Sequence, residues 1–239
     1  MRILAIETAS MQGSAAIQED CSLIAEYSLN VRATHSERLL SAIDTILHHS
    51  GLRFIDLDGL AISIGPGSFT GLRIGLSTIK GLSFSTGLPV VAVSTLRAMA
   101  TRFLTTGHLI CPCLDARKKE IYTALYADWI HGDGKNSLRE LSPPQAIPPD
   151  IFLKGLAENF SEPVIFSGDG AKAYLPRIKK YLPGRALIAL GFAGHPQAGT
   201  VAYLGMERLR QGKIEDVVNL EPFYLRKSEA EIKWVEKHG

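Results

Sequence analysis

Ser63-Ile64-Gly65-Pro66-Gly67-Ser68-Phe69-Thr70-Gly71-Leu72-Arg73-Ile74-Gly75 is the stretch on which the fold of this chain turns. It ends an apolar run of strand character, Asp58 to Ile64, and leads into a helical segment, Leu72 to Ser85, that stops at Thr86-Gly87-Leu88-Pro89. Glycine at 65 and 67 permits backbone angles that other residues avoid, Pro66 stiffens the turn, and Ser68 or Thr70 can cap the helix. A glycine-rich strand-to-helix loop is also a way to cradle phosphate, because free amides and the helix dipole point at the anion. The stretch lacks GxxxxGK[ST], however, and its glycine spacing is not GxGxxG. On the residues alone a structural turn stands ahead of a phosphate site, with both open.

Working outward, residues 2 to 7, 13 to 18 and 22 to 29 are three short extended segments. In Thr34 to Ser50 the apolar residues Leu39, Leu40, Ile43, Ile46 and Leu47 recur at three and four, the period of an amphipathic helix. Thr34 or Ser36 can cap it, Glu37 completes a capping box with Thr34, and Gly51 ends it. Val90 to Val93 is a strand before a helix that Ser94 or Thr95 can cap, so the first half has the order βββαβαβα. Leu109 to Leu114, Glu120 to Ala127 and Leu138 to Leu141 then restart the three-strand opening, with a polar turn at residues 131 to 137. Ser142 to Asp150, with four prolines, reads as a connector. Val164 to Phe166 and Leu187 to Leu190 are short strands, and Gln197 to Gln211 is a helix ended by Gly212. Two α/β lobes follow, residues 1–105 and 106–239.

Lys and Arg number 26 against 24 Asp and Glu, a net charge of +2, which excludes the basic excess of a protein that binds phosphate backbones unaided. The opening MRILAIETAS is too short and polar for a signal peptide, and no run approaches a membrane span, so a cytoplasmic protein with no membrane contact is expected. Cys111 and Cys113, in an apolar run, read as buried free thiols. No further ligands at zinc spacing accompany them, so no metal site is expected.

Six segments together, ILAIETA (3–9), THSERLL (34–40), SIGPGSFTGLRIG (63–75), LPVVAVSTL (88–96), LDARKKEIY (114–122) and EPFYLR (221–226), resemble the TsaB (YeaZ) family. They fall in order along nearly the whole chain. The resemblance implies the two-lobed fold of the actin, sugar-kinase and Hsp70 superfamily (ASKHA), with duplicated βββαβαβα units and a reduced second lobe. It also implies a role beside the related TsaD proteins, which transfer threonylcarbamoyl to adenosine in tRNA, and a larger complex with the ATPase TsaE. The helices at 34–50 and 70–85 would then pair with their counterparts in TsaD, or form a homodimer when TsaD is absent. Leu39, Ile43, Gly71, Ile74, Gly75, Thr78 and Leu82 are the expected partner interface, and tRNA is met only through the complex.

No catalytic residue is expected. Catalytic relatives carry His-x-x-x-His after the strand that follows the glycine-loop helix, and the matching positions here are Ser94 and Ala98; an alanine ligates nothing. The superfamily places carboxylates near a magnesium-bound phosphate, which makes Glu7 and Asp115, with Gly65 and Gly67, candidates for a weak or vestigial nucleotide and Mg²⁺ site. Each has a plain alternative as a turn or strand-end residue. Two enzyme classes stand as alternatives: an ATP-dependent small-molecule kinase, and a glycoprotease-like metallopeptidase, which needs a metal cluster or an oriented nucleophile.

Overall fold

A computed structural model describes residues 1–30, 35–130, 136–189, 191 and 193–226, and for residues 35–37, 129, 130 and 136 the backbone alone. The caps expected at Thr34, Ser36 and Glu37, most of the polar turn at 131 to 137, and the tail from Lys227 lie outside the described residues.

The first half runs β1 (Arg2–Glu7), β2 (Gly13–Glu19), β3 (Ser22–Leu29), α1 (His35–Ser50), β4 (Gly59–Ser63), α2 (Phe69–Thr86), β5 (Val90–Val93) and α3 (Thr95–Thr101). The second runs β6 (Leu109–Arg117), β7 (Glu120–Ile130), β8 (Asn136–Ile147), α4 (Pro149–Asn159), β9 (Val164–Ser167), α5 (Asp169–Ala173), α6 (Leu175–Tyr181), β10 (Ala186–Ile188) and α7 (Ala198–Arg210). The sheets have the orders β3-β2-β1-β4-β5 and β8-β7-β6-β9-β10, each with three antiparallel strands and then two parallel ones. One unit thus occurs twice, as the superfamily resemblance implies. The reduction in the second half is local: the helix equivalent to the 18-residue α2 is split into α5 and α6, of five and seven residues.

Alternation along the strands decides the layers. Leu4 and Ile6 point to one face of the first sheet and pack under α1 and α2, with Leu39, Ile43, Ile46 and Ile79. Ile3 and Ala5 point to the other, where Val201, Ala202 and Met206 of α7 cover them. The second sheet is covered by α4 to α6 on one side and on the other by Leu96, Met99 and Ala100 of α3. Each half therefore lends its last helix to the other half's sheet. The N-terminus of α7 is capped across the join, since the Ala198 amide donates to Ser14 Oγ (2.9 Å) and the Gly199 amide to Glu26 Oε1 (3.0 Å). These tertiary bonds replace the cap that Gln197 does not supply.

Three details differ from expectation. Pro143 and Pro144 lie within β8 rather than in a connector, because β8 is an edge strand and the register of its partner shifts between Thr123 and Tyr126, where missing donors cost least. The helices α4, α5 and α6 were not expected: α5 and α6 are too short to show a period, and the helical spacing of Pro149, Phe152, Leu153 and Leu156 in α4 was passed over beside the prolines that precede it. Leu40, counted with the apolar stripe of α1, is 57% exposed. Cys111 and Cys113 are buried as expected, and burial pushes the Cys111 thiol up to about 12.

Candidate functional site

The glycine-rich loop is held by its own chain. Gly65 has φ +119°, a left-handed angle that favours glycine, and its peptide to Pro66 is cis. Its carbonyl accepts from the Thr95 amide (2.9 Å), the Ser68 amide donates to the Ala9 carbonyl (2.7 Å), and the Gly71 amide donates to Ser68 Oγ (3.2 Å). Ser68, not Thr70, is the cap of α2. A Cβ on Gly65 would stand 2.7 Å from the Phe223 carbonyl oxygen, and one on Gly67 2.5 Å from the Ala9 carbonyl oxygen. Both glycines thus make room for the protein's own backbone. The Phe223 and Ala9 carbonyl oxygens stand against the two glycines, and a carbonyl oxygen repels an anion.

Glu7, at the end of β1, is fully buried. Its Oε1 accepts from the Ala9 amide, and Oε2 is sealed from solvent without a well-formed hydrogen bond. Burial raises its pKa to about 7, against the pull of the Ser63 hydroxyl and the Ala9 and Thr8 amides. Asp115 is half-buried near the end of β6, accepts from the Arg117 amide (2.9 Å) and lies 3.6 Å from the Arg117 guanidinium. Among the described residues no hydrogen bond or ion pair joins Glu7 to Asp115. The four candidate nucleotide residues are each engaged in local structure, and the residues present do not fit a magnesium-bound phosphate.

The expected partner stripe divides. Leu39 and Ile43 lie in the core of the first half at 3% and 2% exposure. Gly71 is buried, and Gly75 is packed on β1, where a Cβ would collide with the Thr8 hydroxyl. These four cannot face a partner, because α1 and α2 use them to seat on their own sheet. Ile74, Thr78 and Leu82 are half-buried at the border. The outer face is instead Leu40 and Asp44 on α1 with Ser77, Gly81 and Phe84 on α2; Phe84 is 67% exposed and Gly81 has nothing within 4 Å of an added Cβ. A one-residue error in helix phase separates the two sets.

Sequence reasoning missed the strap formed by residues 213 to 226. It leaves α7, bonds the Glu215 amide to the Val90 carbonyl (2.9 Å) and takes Lys80 Nζ on the Val218 carbonyl (2.9 Å). It then crosses the glycine loop, where the Phe223 amide donates to the Ile64 carbonyl (2.7 Å). Tyr224 stacks on Phe69 (4.7 Å between centroids) and accepts from Arg73 Nε (3.1 Å), and Arg226 reaches Glu120 of the second half (3.2 Å). The segment EPFYLR was visible, but irregular backbone has no period to announce what it covers.

A family model described as TsaD, tRNA N6-adenosine threonylcarbamoyltransferase, matches residues 28–234. A Bacillus subtilis protein named tRNA threonylcarbamoyladenosine biosynthesis protein TsaB is 34% identical over 237 residues, 99% of each chain. The chain belongs to the TsaB family. The Escherichia coli protein of the same name is 32% identical over 96% of each chain. Among solved structures, YeaZ from Pseudomonas aeruginosa is 25% identical and superposes with a TM-score of 0.76 over 94% of this chain and 99% of that one. In this TsaB-family chain the two positions that match His-x-x-x-His have structural work. The Ser94 hydroxyl accepts from the Arg97 amide as the cap of α3, and Ala98 is fully buried between α3 and the first sheet. His48 and His49 are exposed neighbours on α1, while the side chains of His35, His131 and His238 lie outside the described residues. No helix among the described residues is long and apolar enough to cross a membrane.

Proposed function

We propose that this chain is the non-catalytic scaffold and activator subunit in the formation of threonylcarbamoyladenosine in tRNA, and that it docks TsaD through the outer face of α1 and α2. The observation that carries this is Gly81. It stands within α2 on the exposed face of that helix, fills no gap in its own chain, and costs the helix about 1 kcal/mol relative to alanine. A residue without a side chain lets a second helix approach closely, and exposed Leu40 and Phe84 supply apolar area beside it.

The glycine loop closed by Phe223, the buried Glu7 and the structural duties of Ser94 and Ala98 support a subunit that leaves chemistry to its partner and needs no cofactor of its own. A kinase would need phosphate where the Phe223 carbonyl lies, and a metallopeptidase would need ligands where Ser94 and Ala98 stand. The contribution of the chain is energetic: it binds one state of TsaD better than another and shifts that equilibrium. In the cytoplasm it works with the ATPase TsaE, meets tRNA only within the complex, and pairs with itself when TsaD is absent.

Light scattering coupled to size exclusion, with cognate TsaD, tests the proposal. A one-to-one complex is expected with the wild-type chain and is expected to be lost in Gly81→Arg, whose circular dichroism and melting stay native. Absence of the wild-type complex overturns the partnership, and unimpaired binding by Gly81→Arg overturns the interface.

A further inference from the structure

The β6–β7 hairpin is closed by two lysines. Its register pairs Arg117 with Glu120, so Lys118 and Lys119 are the whole loop. Their φ angles are +48° and +65°, and Arg117 precedes them at +64°. A two-residue loop with both φ values positive has the geometry for which Asn-Gly is the favoured sequence, because a Cβ is strained in the left-handed region. Three consecutive non-glycine residues there are three departures from the least strained choice. Folding does not call for lysine: both side chains are exposed, and among the described residues neither has a hydrogen-bond or ion-pair partner. Strain kept at one spot against an available remedy points to function, and what lysine adds over Asn-Gly is positive charge.

The surroundings fit one class of ligand. Three carboxylates stand at the base of the hairpin; Asp115 is offset by Arg117 (3.6 Å) and Glu120 by Arg226 (3.2 Å), while Asp169 accepts the Asp115 amide. The tip beyond them projects two unshared cations. Arg226 fastens the strap to the base of the same hairpin through the Ala116 carbonyl, and two residues earlier the strap presents Tyr224, 37% exposed and stacked on Phe69. Cations on a projecting tip, with an aromatic residue on the strap that is fastened to the base of the same hairpin, are the elements with which proteins hold RNA, phosphates on the lysines and a base on the ring. A mononucleotide needs a concave site, and a hairpin tip is convex.

We propose that the β6–β7 tip contacts RNA phosphates through Lys118 and Lys119, with Tyr224 as the adjoining stacking surface. This rests on the reading that the chain works on tRNA beside TsaD. Each phosphate contact contributes about 0.8 to the slope of log K against log salt, so loss of two flattens it by about 1.6 and weakens binding roughly fortyfold near 0.1 M salt relative to 1 M.

The test is the double variant Lys118→Asn/Lys119→Gly, which relieves the strain as it removes the charge. A tRNA transcript is titrated at several salt concentrations into the chain alone and into the chain with cognate TsaD, with assembly followed separately by light scattering. The expected result is a variant that melts about 3 °C higher or more, assembles as wild type does, and binds tRNA with the weaker affinity and flatter salt slope. A more stable variant with unchanged tRNA affinity and slope overturns the proposal. So does equal loss of binding to inorganic triphosphate with none to tRNA, which would mark a small-anion site. If wild type fails to assemble with TsaD, the functional reading falls and the proposal with it, whereas an assembled complex whose tRNA affinity and salt slope the variant leaves unchanged overturns the proposal alone.

Discussion

Replacing Glu7 with glutamine removes a destabilising pH dependence that the fold itself creates. The carboxyl is fully buried at the end of β1, and burial raises its pKa from 4.5 to about 7. The folded state thus holds the proton more tightly than the unfolded state. From pH 4.5 upward the unfolded chain releases it first, so stability falls with rising pH until the folded carboxyl ionises near pH 7, and is then flat. The difference of 2.5 between those two values corresponds to roughly 3 kcal/mol lost between pH 4.5 and pH 8. Glutamine has the same shape and cannot ionise. Its amide nitrogen must find an acceptor, which costs about 1 kcal/mol at all pH values and leaves the slope untouched. Urea unfolding from pH 5 to 8.5 should therefore show wild type losing stability across the window and Glu7→Gln staying level by comparison. The curves come together near pH 5, and the variant leads by a few kcal/mol at pH 8. Parallel curves would refute the reasoning, since they would mean that Glu7 keeps an ordinary pKa and that water reaches it.

Two glycines of α2 should behave oppositely. Gly75→Ala forces a Cβ against the buried Thr8 hydroxyl and should cost about 1–3 kcal/mol, whereas Gly81→Ala meets nothing and should stabilise by about 0.5–1 kcal/mol; thermal melts of the pair check both. Ser94→Ala removes the cap of α3 and should cost about 1 kcal/mol in urea unfolding, with no change in assembly with TsaD. Tyr224→Ala removes the stack on Phe69 and the bond to Arg73, so the Phe223 amide should exchange its hydrogen faster while amides of β1 and β4 exchange as before. Equal acceleration in β1 would show that the strap is part of the cooperative core.

Much was legible where local chemistry sets the outcome. Gly51 and Gly212 end their helices at φ +67°, Ser68 and Ser94 cap theirs, and the unbroken apolar run in RILAIE reads as a strand, which the fold buries on both faces. Periodicity served less well where a helix is apolar on most sides. In α2 apolar residues lie on most sides, so the stripe of Gly71, Gly75, Thr78 and Leu82 reads as a partner face although Gly71 and Gly75 seat on the sheet, and the exposed Gly81 lies one position before Leu82 on the neighbouring face. The short helices of the second half were missed because five or seven residues hold too little of a period to read.

By itself the sequence determined the order of elements in the first half, most of the turns and the family, since those depend on neighbours within a few residues or on segments compared one at a time. Only the tertiary structure decided that each half lends its last helix to the other's sheet, that Glu7 is buried to the point of holding its proton, and that the strap fills the space at the glycine loop. Each of these joins residues far apart in the chain, such as Ser14 with Ala198 or Ile64 with Phe223. The free energy of such a contact depends on what surrounds it once the chain has closed, and a local pattern carries no record of that.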